Sequence, residues 1–210
     1  MVMKMTTTNM RETELKLCLD AQSYAQLQQL LPHHGYLRRQ INCFFDSCDF
    51  ALRSQHWALR LRQDDEHWFL TAKGPSTKNQ GISDRIEIEV PCPEAFVQRL
   101  KSNSSRLSQI PLEPAKALLE LFGDLAIFSY LEFENRRQVL LWEGCHLELD
   151  YSTCKGQERF ELELELPLAE LLVRKSSLEQ WLARHGIAAQ ASNDSKLAWA
   201  LRQSALGTPS

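Results

Sequence analysis

The sequence predicts an α+β fold: one large antiparallel sheet, curled or closed, with helices packed outside it. Period-two alternation of polar and apolar residues recurs in short stretches along the chain, and most of these stretches are joined by turns. Helical patterns are fewer and lie between them. No sequence repeat and no long linker divides the 210 residues, so a single domain is expected, with its core over about residues 11–203.

The elements follow in order. Residues 12–19 alternate strictly through Glu12, Glu14 and Lys16 on one side and Leu15, Leu17 and Leu19 on the other, which predicts a half-buried strand. Residues 21–31 place Tyr24, Leu27, Leu30 and Leu31 at helix spacing, and the Pro-His-His-Gly turn at 32–35 stops that helix. Residues 39–45, 57–62 and 68–73 are short and rich in β-formers, with Gly74-Pro75 closing the last. Residues 82–90 alternate again. Residues 93–101 and 113–122 are helical in pattern, joined by a Ser- and Asn-rich link at 102–108. Four more strands are expected over 127–134, 137–142, 145–151 and 160–166, with Glu143-Gly144 as a two-residue hairpin turn. A helix over 167–185 ends at Gly186, with His185 near its C-terminus, where a cation is favourable. Asn193 or Asp194 can cap a final helix running to 202, and the tail at 207–210 is expected to be loose.

Composition excludes several classes. Hydrophobic residues make up 43% and charged residues 24%, a globular balance, and the formal net charge of -3 argues against a nucleic-acid coat. The longest apolar stretches are short, such as 122–130 with Asp124 inside it, so no membrane span is expected. Residues 1–10 lack the apolar core and cleavage site of a signal peptide. The six cysteines form no C-x-x-C pair and the histidines are scattered, which argues against zinc and for reduced thiols in a cytoplasmic protein.

The charges carry the functional reading. Side chains in a strand alternate faces, so Arg60 with Arg62, Arg85 with Glu87 and Glu89, Glu148 with Asp150, and Glu161 with Glu163 and Glu165 each project together. The opposite faces carry Leu59, Leu61, Ile86, Ile88, Leu147, Leu149, Leu162 and Leu164. Such alternation ordinarily marks a solvated outer face. Sorting by sign does not, because like charges facing each other destabilise a sheet. A divalent cation would reconcile the carboxylates. Arg60, Arg62, Lys73 and Arg85 supply the donors that phosphate oxygens need. A closed sheet with this face inward would be inside-out relative to an ordinary packed barrel.

These residues, in this order, resemble the CYTH superfamily, the triphosphate tunnel metalloenzymes. The resemblance runs through Glu12-x-Glu14-x-Lys16, Phe44-Phe45-Asp46, Leu52-Arg53, Ala58-Leu59-Arg60-Leu61-Arg62, Leu70-Thr71-Ala72-Lys73-Gly74-Pro75 and Arg85-x-Glu87-x-Glu89. It continues through Phe133-Glu134-Asn135-Arg136-Arg137, Leu147-Glu148-Leu149-Asp150, Phe160-Glu161-x-Glu163-x-Glu165 and Ser192-x-x-x-Lys196. Pro75 departs from relatives that carry a second lysine there, and spacing favours Arg137 over Arg136.

The resemblance implies an eight-stranded barrel whose lumen is a tunnel, and a hydrolase that cleaves the terminal phosphate of a small triphosphate. Inorganic tripolyphosphate is the first expectation. A thiamine triphosphatase, a class IV adenylate cyclase or a non-catalytic polyphosphate-binding module are the alternatives. Lys16, Arg60, Arg62, Lys73, Arg85, Arg137 and Lys196 would hold the triphosphate. Mg²⁺ or Mn²⁺ would be bound by Glu12, Glu14 and one or two of Glu161, Glu163 and Glu165, with Asp150, Glu148, Glu87 or Glu89 near a second metal or the attacking water. Glu14, Lys16, Glu163 and Asp150 would form the catalytic set. ATP and thiamine triphosphate are further candidate substrates. No nucleic-acid or membrane partner is implied, and the chain would be a monomer or homodimer. Trp57, Trp68 and Trp142 are read as outer-face core in preference to base-stacking residues.

Overall fold

The computed structural model describes residues 8–102, 105–192 and 194–206. Asn193 and the tail at 207–210 lie outside the described residues. In order, the chain forms β1 (Thr8–Leu19), α1 (Ala21–Leu30), β2 (His33–Asp46), α2 (Ala51–Ser54), β3 (Ala58–Asp64), β4 (His67–Asn79) and β5 (Ile82–Pro91). There follow α3 (Glu94–Lys101), β6 (Ser105–Arg106), a single 3₁₀ turn (Leu107–Gln109), α4 (Glu113–Phe122), β7 (Ala126–Trp142), β8 (Cys145–Cys154) and β9 (Gln157–Glu165). The last elements are α5 (Leu168–Arg184), β10 (Ala189–Ala191) and α6 (Lys196–Leu206).

The strands form one sheet in the order β10-β1-β5-β4-β3-β2-β7-β8-β9, and β1 also pairs with β9, so the sequence of neighbours returns to its start. Among the described residues, eight long strands make this closed antiparallel barrel, with β6 and β10 as short additions. No helix among the described residues is long and apolar enough to cross a membrane.

The chain divides into two compact units. The first comprises Met1–Arg11, Gln40–Ser76 and Arg85–Phe133. Its core joins Leu59, Leu61, Leu70 and Ala72 of β3 and β4 to Leu52 of α2, Val97 and Leu100 of α3, and Ala115 and Leu118 of α4. Trp57 and Trp68 pack against it. Asp46 builds the loop that starts α2: one carboxylate oxygen accepts from the backbone N–H groups of Ser47 (2.8 Å) and Leu52 (2.9 Å), the other from that of Arg53 (2.9 Å).

The second unit comprises Glu12–Arg39, Thr77–Asp84 and Glu134–Ser210. Its core sets Leu15, Leu17, Leu147, Leu149, Leu162 and Leu164 of the sheet against Leu27 of α1 and Leu171, Leu178 and Leu182 of α5, with Trp142 inside. Burying each such leucine contributes about 1.5–3 kcal/mol. Asp20 caps α1 by accepting from Ser23 N–H at 2.7 Å.

Several elements differ from the expectation. β4 runs on through Gly74 and Pro75 to Asn79. Gly74 is not a stop: a Cβ there would lie 3.2 Å from the Trp57 ring, so it makes room for packing. β2 begins at His33, and His34 stacks on His146 with ring centroids 4.6 Å apart, so neither histidine is confined to a turn. The two strands expected between 127 and 142 are one seventeen-residue strand, β7. Ile86 is 47% exposed and does not join the core. The cap of α6 is Ser195, whose hydroxyl accepts from Ala198 N–H at 3.1 Å, while Asp194 pairs with arginines instead.

Candidate active site

In the second unit, the sheet register assembles the charges. Lys16 on β1 lies opposite Glu163 on β9, and Glu163 opposite Glu148 on β8. One row along, Glu161 faces Asp150, which faces Arg137 on β7. The alternate residues on these strands are the core leucines beneath α1 and α5, so the charged side chains occupy the other face.

Within this cluster Lys16 Nζ lies 2.7 Å from Glu163 Oε1 and 3.4 Å from Glu14 Oε1. Lys196 Nζ, from the first turn of α6, is 2.6 Å from the same Glu163 oxygen, 2.7 Å from Asp150 Oδ2 and 3.1 Å from Glu161 Oε2. Arg137 grips Asp150 with two parallel bonds, Nε to Oδ1 at 2.8 Å and Nη2 to Oδ2 at 2.6 Å. Its Nη2 also reaches Glu163 Oε2 at 2.9 Å, and its Nη1 contacts Glu148. Asp150 and Glu161 are fully buried, and Glu14, Lys16 and Glu163 nearly so.

Burial alone would neutralise such groups. Burial works against the Lys16 charge, but Glu163 and Glu14 outweigh it and hold the ammonium above the ordinary lysine value. Lys196 is raised likewise against burial by Asp150, Glu161 and Glu163. Burial would lift Glu163, yet Lys16, Lys196 and Arg137 hold its carboxyl well below the usual range. Asp150 is lowered too, by Arg137 and Lys196 acting against burial. Glu148 goes the other way: burial, with Asp150 and Glu163 close by, outweighs Arg137 and raises it.

The first unit carries its own cluster on β3, β4 and β5. Arg62 Nη2 donates to both oxygens of Glu89, at 3.1 and 3.0 Å, and Arg60 Nη2 reaches Glu89 Oε2 at 3.2 Å. Lys73 Nζ is 2.5 Å from Glu87 Oε2. Thr71, fully buried, donates its hydroxyl to Glu89 at 2.7 Å. Burial opposes ionisation of Glu89, but Arg62, Arg60 and the Thr71 hydrogen bond lower its carboxyl below the ordinary value. Arg85 is half-buried on the same alternation as Glu87 and Glu89.

The remaining expected residues fall less centrally. Glu12 is half-buried on β1. Glu165 lies opposite Glu14 in register but is exposed. Arg136 is exposed and pairs with Glu134 at 3.1 Å, whereas Arg137 enters the buried cluster. Among the described residues no three carboxylate, histidine or cysteine side chains form a ready cation cage. The ammonium and guanidinium groups lie between the carboxylates.

Sequence reasoning missed Arg159 and Thr71. Arg159-Phe160-Glu161-Leu162-Glu163 repeats the R-x-E-x-E spacing of Arg85 to Glu89, and that repetition was the available signal for Arg159. A threonine one strand from two arginines carries no comparable mark.

Comparison with known proteins bears on the family and the fold. Residues 10–203 match the model of the CYTH domain. An inorganic triphosphatase of Haemophilus influenzae is 27% identical over 162 residues, 73% of this chain and 45% of that protein, so the chain spans less than half the length of this relative. HpAC1 of Hippeastrum, a candidate adenylyl cyclase with a dominant triphosphatase activity, has 28% identity and a TM-score of 0.83, covering 91% of this chain and 95% of its own. A candidate adenylate cyclase of Bacillus halodurans, 23% identical with a TM-score of 0.71 and coverage of 89% and 95%, shares the fold.

Proposed function

The chain belongs to the CYTH family, and we propose that it is a metal-dependent hydrolase that releases the terminal phosphate of a small triphosphate, inorganic tripolyphosphate first. One observation carries most of the weight. Lys16, Lys196 and Arg137 are held ionised in a buried site by carboxylates that like-charge repulsion alone would keep apart. Buried ion networks contribute little net stability, because desolvation costs several kcal/mol per ion. A network of this size is better accounted for by a charged ligand that exchanges places with part of it.

A divalent cation fits the donor set. The acids are Glu14, Glu148, Asp150, Glu161 and Glu163, all oxygen donors of the kind Mg²⁺ and Mn²⁺ prefer. Glu163 and Glu148 are cross-strand partners, as are Glu161 and Asp150, pairs that a cation would relieve. When bound, the metal would neutralise charge on the phosphate oxygens. Lys16, Lys196 and Arg137 would turn from their carboxylates to the triphosphate. In the first unit, Arg60, Arg62, Lys73 and Arg85 supply donors of the same phosphate-binding kind. A freed carboxylate, Asp150 or Glu163, would orient the attacking water in line with the leaving oxygen. Phosphoryl transfer asks for positioning and electrostatics and needs no nucleophilic side chain.

Phosphate release from tripolyphosphate with Mg²⁺ or Mn²⁺, set against thiamine triphosphate and ATP, tests this reading. Turnover should be fastest on tripolyphosphate, vanish with EDTA and return with added metal. Faster phosphate release from thiamine triphosphate, or cyclic AMP from ATP, would replace the substrate assignment. Tight binding of tripolyphosphate with no turnover under either metal would replace catalysis by a binding role. Glu14→Gln and Lys16→Ala should each cut hydrolysis by at least ~100-fold with the fold intact, the scale for losing one preorganised electrostatic group.

A further inference from the structure

Arg159 is unused in that reading. It stands on β9 two residues before Glu161, on the same face, with its side chain 9% exposed. Its Nη2 donates to Glu161 Oε1 at 2.7 Å, to the Ser192 hydroxyl at 3.2 Å and to the Asp194 carbonyl oxygen at 3.2 Å. Its Nη1 lies 3.4 Å from Asp194 Oδ2, and the guanidinium sits 6.0 Å from the Trp199 ring centre on α6. Arg202 holds the same Asp194 carboxylate from α6. One planar fork thus joins β9 to the segment that leads into α6, and Lys196 is the first residue of that helix.

We propose that Arg159 is a positioning residue that sets where Lys196 stands over the carboxylates, an inference that rests on the triphosphate reading. The Lys196 ammonium is held by carboxylates of the cluster, Asp150, Glu161 and Glu163. Those contacts must loosen when the ammonium turns to a phosphate, so they cannot also fix the helix start during turnover. Arg159 fixes it through Ser192, the Asp194 backbone and the Asp194 side chain, contacts that need nothing from Lys196. It also holds Glu161 by Oε1, leaving Oε2, the oxygen nearest Lys196, directed into the cluster. A lysine at 159 could keep the charge beside Glu161 but could not span these partners at once.

The test uses Arg159→Lys, which leaves Glu161 a cationic partner, and Ser192→Ala with Asp194→Ala, which cuts the tie from the other side. KM for tripolyphosphate is expected to rise roughly tenfold in both proteins, with kcat changed by less than about threefold, the pattern of weakened binding with chemistry retained. In a Lys196→Ala background, Arg159→Lys should move KM by less than about twofold, since residues acting through one another do not add. Hydrogen exchange at the Ala198 and Trp199 amides, measured without substrate, should quicken in both proteins. An unchanged KM, a fully additive effect with Lys196→Ala, or unchanged exchange would each overturn the positioning role. Wild-type protein that neither binds nor hydrolyses tripolyphosphate would sink the triphosphate reading instead, and exchange would still decide whether Arg159 fixes the helix start.

Discussion

Glu148 differs from the carboxylates around it because the cost of burial, with repulsion from Asp150 and Glu163 added, outweighs the attraction of Arg137. A carboxyl raised in the folded protein subtracts stability as pH climbs from its unfolded value, about 4.3, through its folded one. Glu148→Gln should therefore raise the melting temperature of the metal-free protein, with a larger gain at pH 8 than at pH 4. A gain equal at both values, or a loss at pH 8, would show that Arg137 dominates after all. At this scale the sequence displayed which residues carry charge and, through alternation, which share a face. It could not display partners, because Lys16 and Glu163 meet only through the β1–β9 register. Spacing favoured Arg137 over Arg136 without separating them, and in the structure Arg136 is exposed while Arg137 is half-buried. Arg159 went unnoticed since its partners Ser192 and Asp194 lie in a connecting segment that has no periodicity to follow.

Among the elements, the β4–β5 turn bears most directly on the candidate site. Gly81 has φ +83°, and a Cβ there would stand 2.9 Å from the Lys16 carbonyl oxygen and 3.1 Å from Ala191 Cβ. The Lys16 N–H in turn donates to Gly81 O at 2.8 Å. Gly81→Ala should cost roughly 1–3 kcal/mol of backbone strain plus the clash, lowering the melting temperature by ~5 °C or more. Gly144, at φ +78° with nothing within 4 Å of its absent Cβ, is the control. Alanine there should cost only about 1 kcal/mol, measured by the same thermal melt. Equal losses at the two sites would contradict the close approach at Gly81. The Glu143-Gly144 turn was legible because both residues adopt positive φ, which the two-residue hairpin demands. Gly74-Pro75 misled because the pair usually signals a turn. The space taken by Trp57 requires the glycine, and the fixed φ of proline suits extended backbone.

For the whole molecule, the period of two was enough to predict one large antiparallel sheet, curled or closed, and the eight-stranded barrel followed only from the family resemblance. In each unit the leucines of the strands lie beneath helices and the charged residues occupy the other face, so a single alternation encodes both core and candidate site. The depressed carboxyls set the acid limit. Glu163, Asp150 and Glu89 contribute stability that is complete above their unfolded values, near pH 4, and is lost as pH falls through their lower folded values. Metal-free protein followed by circular dichroism should therefore keep its fold to about pH 4 and unfold below it. Unfolding that begins near pH 6 would mean these pairs are not ionised as described.

The closure of the sheet also bears on how the chain is made. β1 precedes the other strands of this barrel in the sequence, yet Leu17 must wait for Leu162, 145 residues later, before that edge is covered. The β7–β8 and β8–β9 hairpins need only their own turns and can form as they emerge. The β1 edge therefore stays uncovered while the intervening strands are made, and the barrel closes only when β9 arrives at it.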